Sequence, residues 1–74
     1  GLDGSGDLQK AIGVASEWAG SKGEAVYNSS VEGRDATGIK TVKGDYTIRV
    51  YLMGAAETSG KAYPYQLSVS VVNF

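Results

Sequence analysis

Cysteine and histidine are both absent from the 74 residues, and proline and methionine occur once each. Without cysteine the chain draws no stability from disulfides, the usual support of small extracellular folds, and is compatible with any redox compartment. Without histidine it lacks at once the commonest general base and the commonest zinc ligand. Charge of one sign is missing too. Seven Lys and Arg stand against eight Asp and Glu, a net charge of -1, with the acids scattered along the chain. Nothing here recruits a phosphate backbone or an anionic membrane wholesale. The longest uninterrupted apolar run, Val50-Tyr51-Leu52-Met53, falls far short of the roughly 20 residues of a membrane-spanning helix. The sequence opens at Gly1 with no basic-then-apolar leader, so any targeting peptide is expected to have been removed or to lie outside it.

Glycine, by contrast, is abundant. Eleven glycines cut the chain into short segments, the pattern of many all-β proteins, and residues 1–74 read as a single small β domain. The clearest segment is 45–53. Tyr46, Ile48, Val50 and Leu52 alternate with Thr47, Arg49, Tyr51 and Met53, and period two with β-branched and aromatic residues indicates a strand. A second alternation sets Tyr65, Leu67, Val69 and Val71 against Gln66, Ser68 and Ser70, with Pro64 at its start, where a missing ladder donor is tolerated. These two segments are expected to form an antiparallel pair joined by the loop over residues 54–63. Weaker strands are expected at residues 24–28 and 38–42. Residues 8–19 fit either element. Leu8, Ala11, Ile12, Ala15 and Trp18 have helical spacing behind a capping Asp7, whereas Gly13 and the alternation of Ile12 with Val14 favour a strand. The alternation is preferred, with a loop over residues 16–23.

The segment Gly44-Asp45-Tyr46-Thr47-Ile48-Arg49-Val50-Tyr51-Leu52-Met53, then Ala55-Ala56, then Tyr63-Pro64-Tyr65-Gln66-Leu67-Ser68-Val69-Ser70-Val71, carries a resemblance. It resembles the C-terminal half of small bacterial extracytoplasmic β-sandwich domains, the pre-peptidase C-terminal type and the related periplasmic inhibitors of g-type lysozyme. The likeness reaches back more loosely through Glu24-Ala25-Val26-Tyr27. It implies an all-β, antiparallel, jelly-roll-like sandwich, exported to the periplasm or secreted, that binds proteins or accompanies a secreted enzyme. Two departures stand out. Where these relatives carry arginines after the Tyr-Leu-Met element, this chain has Gly54-Ala55-Ala56-Glu57-Thr58-Ser59-Gly60, with no cations to push into an acidic cleft. The relatives are also longer by an N-terminal set of strands. A lone sheet would leave the row Tyr46, Ile48, Val50, Leu52, Leu67, Val69 and Val71 without cover, so a second chain or a second copy is expected to complete the fold.

Sites with chemistry are few. Asp3-Gly4-Ser5-Gly6-Asp7 superficially suits Ca2+, but a calcium loop begun at Asp3 would need a closing Glu where Val14 stands; the segment reads better as a solvated, flexible terminus, with no metal assigned. Asn28-Ser29-Ser30 matches the N-glycosylation acceptor pattern, a frequent chance match. No nucleophile-and-base arrangement and no phosphate-cradling glycine loop is legible, so no cofactor and no enzymatic activity are expected. Aromatic and charged residues around the second half supply the candidate binding set: Arg49 and Tyr51 on the outward face, where they can form a cation–π pair, and Glu57, Lys61, Tyr63 and Tyr65 along or beside the loop. Trp18 is expected to fill the core. The function expected is that of a non-catalytic, extracytoplasmic protein-binding module, inhibitor-like in kind. The alternatives are a carbohydrate-binding accessory module, or a structural subunit assembling by strand pairing through the uncharged segment ending Val71-Val72-Asn73-Phe74.

Overall fold

The least strand-like stretch of the sequence becomes a central strand. A computed structural model describes residues 2–41 and 44–73. In it Leu2–Lys10 form β1, flanked on one side by β4 (Ala36–Thr41) and on the other by β6 (Tyr65–Asn73), both antiparallel to it. The second sheet has β2 (Val14–Gly20) at its centre, between β3 (Ala25–Asn28) and β5 (Tyr46–Leu52), again antiparallel. Two single helical turns, α1 (Ser29–Glu32) and α2 (Ala55–Thr58), lie in the connections. The chain is thus the all-β antiparallel sandwich that its alternating segments predict. No helix among the described residues is long and apolar enough to cross a membrane.

Several expectations give way at this level. Asp3 to Asp7 are no flexible terminus, because they are hydrogen-bonded into a sheet on both sides. Residues 8–19 are neither a helix nor one strand: β1 ends at Lys10, residues 11–13 turn the corner between the sheets, and β2 runs on to Gly20 through the region expected as loop. The two clearest strands, β5 and β6, do not pair with each other. They belong to opposite sheets, each hydrogen-bonded to one of the opening strands. The reason is that residues 53–64 cross from one sheet to the other instead of reversing within one. Only the β2–β3 connection stays in its sheet, through the turn Gly20-Ser21-Lys22-Gly23, in which Gly23 takes φ +80° and its N–H donates to the Gly20 carbonyl at 2.9 Å. The weak strand expected at residues 24–28 is β3, and the one at 38–42 is β4, whose last expected residue, Val42, lies outside the described residues.

The glycines of β1 explain how so short a chain closes. Gly4, Gly6 and Leu8 alternate with the exposed Asp3, Ser5 and Asp7, so the glycines face the other sheet. The Trp18 indole lies directly on Gly6, in the space a side chain would take. Trp18 is 6% exposed and meets Tyr27 edge-to-face, with ring centroids 6.3 Å apart and planes at 80°, a geometry that adds about 0.5–1.5 kcal/mol beyond the area buried. Leu8, Val14, Ala15 and Ala56 complete the buried apolar set with these two rings. The apolar row of β5 and β6 is therefore partly covered by the chain's own opening strands.

That cover fades along β6. Its inward residues Leu67, Val69 and Val71 stand beside Leu8, Gly6 and Gly4 of β1 in turn. As the neighbour shrinks from leucine to glycine, burial falls: Leu67 is half-buried, Val69 is 47% exposed and Val71 62%. The corner opposite is tight. Gly13, at φ +100°, accepts the Met53 N–H at 2.8 Å, and a β-carbon there would lie 2.6 Å from that of Ala56.

Candidate functional site

Because Trp18 sets β2 over β1, and residues 29–35 tie β3 to β4, those two edge strands share one flank of the sandwich and β5 and β6 share the other. On the β5–β6 flank a groove of about 230 Å3 is bounded by Val50, Tyr51 and Leu52 of β5, by Lys61 and Tyr63 of the crossing segment, and by Tyr65 at the start of β6. Four of the residues singled out in the sequence, Tyr51, Lys61, Tyr63 and Tyr65, meet here. Tyr65 is 56% exposed, while Tyr51 and Tyr63 are half-buried. Glu57 is not in the lining; it is exposed on α2.

Arg49 continues the site across the outer face of the β3-β2-β5 sheet. Its Nε donates to Glu17 Oε1 at 2.6 Å, and its guanidinium carbon stands 4.5 Å from the centre of the Tyr51 ring. The register dictates this, since Arg49 lies directly opposite Glu17 and Tyr51 opposite Ala15, whose small side chain leaves room for the ring. The Arg49 hydrogen bond holds the Glu17 carboxyl below the usual glutamate range, and the Glu17 carboxylate in turn raises the Arg49 guanidinium above its ordinary value. The Tyr51 hydroxyl donates to Asn28 Oδ1 at 2.8 Å and lies 2.9 Å from Ser30 Oγ. Arg49 and Tyr51 are thus held in place by contacts within the chain itself.

Asn28 sits at the hub of that arrangement. Its side-chain oxygen accepts the Ser30 N–H at 3.0 Å and the Ser30 hydroxyl at 2.7 Å, which caps α1. In the Asn28-Ser29-Ser30 motif, then, the asparagine and the second serine form a helix cap that also anchors Tyr51. The middle residue is structural as well: Ser29 is 5% exposed, and its Oγ accepts the Ser16 N–H at 2.9 Å. Tyr27, behind the cap, donates its hydroxyl to the Arg34 carbonyl, and burial raises its phenol pKa.

A second hollow, also about 230 Å3, opens between the sheets at the other end. Gly4, Trp18, Val26, Ile39, Ile48 and Val71 are among its walls. No side chain comes within 4 Å of where a Gly4 β-carbon would stand, so Gly4 floors open space where Gly6, two residues on, is covered by an indole. A bulge between Trp18 and Ala19 in the β2–β3 pairing brings Val26 to this hollow beside Trp18. Sequence reasoning missed it; the readable signal was glycine at alternate positions of one segment, Gly4 and Gly6. Among the described residues no group of three or more Asp or Glu is placed to hold a metal ion. Asp3 and Asp7 point outward from β1, where Asp7 accepts from Gln9 Nε2 at 3.2 Å. Comparison with protein-family models, with curated proteins and with solved structures gives no match.

Proposed function

We propose that the chain is a non-catalytic protein-binding module and that its binding surface is the β5–β6 flank. The observation that carries this reading is the convergence of Tyr51, Lys61, Tyr63 and Tyr65 on one groove beside two edge strands. Edge strands offer unpaired backbone donors and acceptors to an extended segment, and tyrosines give contact area at low entropic cost. The resemblance to pre-peptidase-type and lysozyme-inhibitor-type domains points the same way, and with it to a periplasmic or secreted setting. The inhibitor variant has less behind it, because Arg49 is already paired with Glu17 and the residues after Met53 carry no arginine. A sugar-stacking module would need free aromatic faces; here the guanidinium of Arg49 covers a face of Tyr51.

The test is selection of extended peptides displayed on phage against the folded chain, followed by amide chemical-shift mapping of the selected peptides. Shifts are expected at residues 49–52 and 61–67. Shifts confined to the outer face of the β4-β1-β6 sheet, or an absence of selected peptides, would overturn this assignment.

A further inference from the structure

We infer that the partner on this flank is a second copy of the chain, joined by antiparallel pairing of β6 with its counterpart about a two-fold axis at Val69. The inference rests on the reading of the flank as a protein-binding surface, and it names the occupant.

The four edge strands differ in how they discourage pairing. β3 has only four residues and a bulged register. β4 carries the exposed Lys40, and β5 carries Arg49 at its midpoint, where self-pairing would set arginine against arginine. Short length, bulges and charge are the usual protections of a free edge. β6 has none of them. It is nine residues long, contains no charged residue, no proline and no glycine, and follows β1 in unbroken register along its whole length.

Its sequence is also compatible with itself. Pairing centred on Val69 places Leu67 opposite Val71, Ser68 opposite Ser70 and Gln66 opposite Val72, each twice. Like charges directly opposite are destabilising across a strand pair, and here no charge faces another. Because the axis passes through an inward residue, both copies keep Leu67, Val69 and Val71 on the same side. The apolar row left half-covered by Gly4 and Gly6 then continues into its twin, while serine hydroxyls meet on the outer face. Tyr65, at the groove, comes beside Asn73 of the other copy. A two-fold contact is closed, and once made it leaves only the protected edges free.

The experiment is sedimentation equilibrium from micromolar to millimolar concentration, on the wild type and on two exposed, outward-facing double variants. Ser68→Lys with Ser70→Lys sets lysine against lysine twice across the axis; Ser68→Lys with Ser70→Glu sets lysine against glutamate twice. The wild type is expected to approach twice its 7.7 kDa, and the dimer of the Lys/Lys variant to dissociate about tenfold or more readily than that of the Lys/Glu variant. Equal dissociation constants for the two variants, or a wild type that stays monomeric at millimolar concentration, would overturn the inference. Should the Lys/Lys variant fail to fold, amide exchange along wild-type β6 decides instead: alternate amides slow with concentration if the edge is paired and stay fast if it is not. A monomeric chain that still takes selected peptides on the flank would refute the second copy and leave the protein-binding reading standing.

Discussion

Trp18 occupies the side-chain space of Gly6, and through that contact the two sheets come together at their central strands. The relationship is specific to one glycine. An alanine at Gly6 would put its methyl inside the indole and force the ring out of a buried site, whereas at Gly4 the nearest atoms are backbone oxygens at 3.9 Å, an ordinary contact distance. Gly6→Ala is therefore expected to lower the unfolding free energy by about 1–3 kcal/mol, the range for overpacking a filled core. Gly4→Ala should be neutral or stabilising by a few tenths of a kcal/mol, since glycine loses more conformational freedom on folding. Urea titrations of the two variants check the contrast, and equal destabilisation would show that Trp18 does not distinguish the two positions.

Ser29 makes a different kind of join. It lies at the start of α1, yet its hydroxyl serves the backbone of β2 by accepting the buried Ser16 N–H. Ser29→Ala leaves that donor without a partner in a buried site, so a loss of about 1–3 kcal/mol is expected. Ser29→Thr keeps the oxygen and should lose less. Thermal unfolding followed by circular dichroism separates them; an alanine variant as stable as the threonine one would mean the bond contributes nothing.

How far these features could be read from sequence depends on where their cause lies. The strands β5 and β6 were legible because alternation of Tyr46, Ile48, Val50 and Leu52, and of Leu67, Val69 and Val71, is a local property. Their separation into different sheets was not, because a crossing segment and a reversing loop of similar composition look alike until something else claims the neighbouring edges. What claims them is β1 and β2. β1 hid itself: Gly4 and Gly6 lower its strand propensity, and the indole that makes glycine necessary there comes from another strand. The site was legible as a set of residue types, and Tyr51, Lys61, Tyr63 and Tyr65 do meet. Their supports, Glu17 under Arg49 and Asn28 under Tyr51, come from strands far away in sequence, with no local sign of the pairing.

Val50 tests the inward row of β5 directly. It is half-buried and sits beside Ser16 in the β2–β5 ladder. Val50→Asp would set a carboxylate on the core side of β5, and burial of charge is among the few changes that unfold a small domain outright. The variant is expected to lack the cooperative transition of the wild type at neutral pH and to regain part of it in acid, where the carboxyl is neutral. A fully folded variant at neutral pH would show that this position is wet.

Two groups make stability depend on pH in opposite senses. The Glu17 carboxyl titrates below its usual range in the folded chain because Arg49 donates to it. Its contribution is thus present above the unfolded pKa and lost as pH falls through the lowered folded value. Tyr27 behaves in the reverse sense: burial raises its phenol pKa, so its contribution is present below the unfolded pKa and lost as pH rises through the raised one. Stability is expected to decline at both extremes. Glu17→Gln should flatten the acid limb and Tyr27→Phe the alkaline one, measured as denaturation midpoint against pH. An acid limb unchanged by Glu17→Gln would remove the Arg49 pair from the account.

Tyr51 separates support from recognition within the groove. Its ring faces Arg49 and lines the groove, while its hydroxyl is spent on Asn28 and Ser30. Tyr51→Phe keeps the ring and the cation–π contact but frees it from the cap, so the partner affinity should fall only a few-fold. Tyr51→Ala removes the aromatic wall and leaves Arg49 with Glu17 alone; a loss of about 1–2 kcal/mol in binding, roughly five- to thirtyfold, is expected for truncating an aromatic anchor. Tyr63→Ala should act in the same direction, because Tyr63 lines the same groove. Calorimetric titration with a selected peptide measures all three, with circular dichroism confirming that each remains folded. Because Tyr51 and Tyr63 come from different elements, a drop with either one alone would assign binding to that element; a drop with both assigns it to the groove they form together.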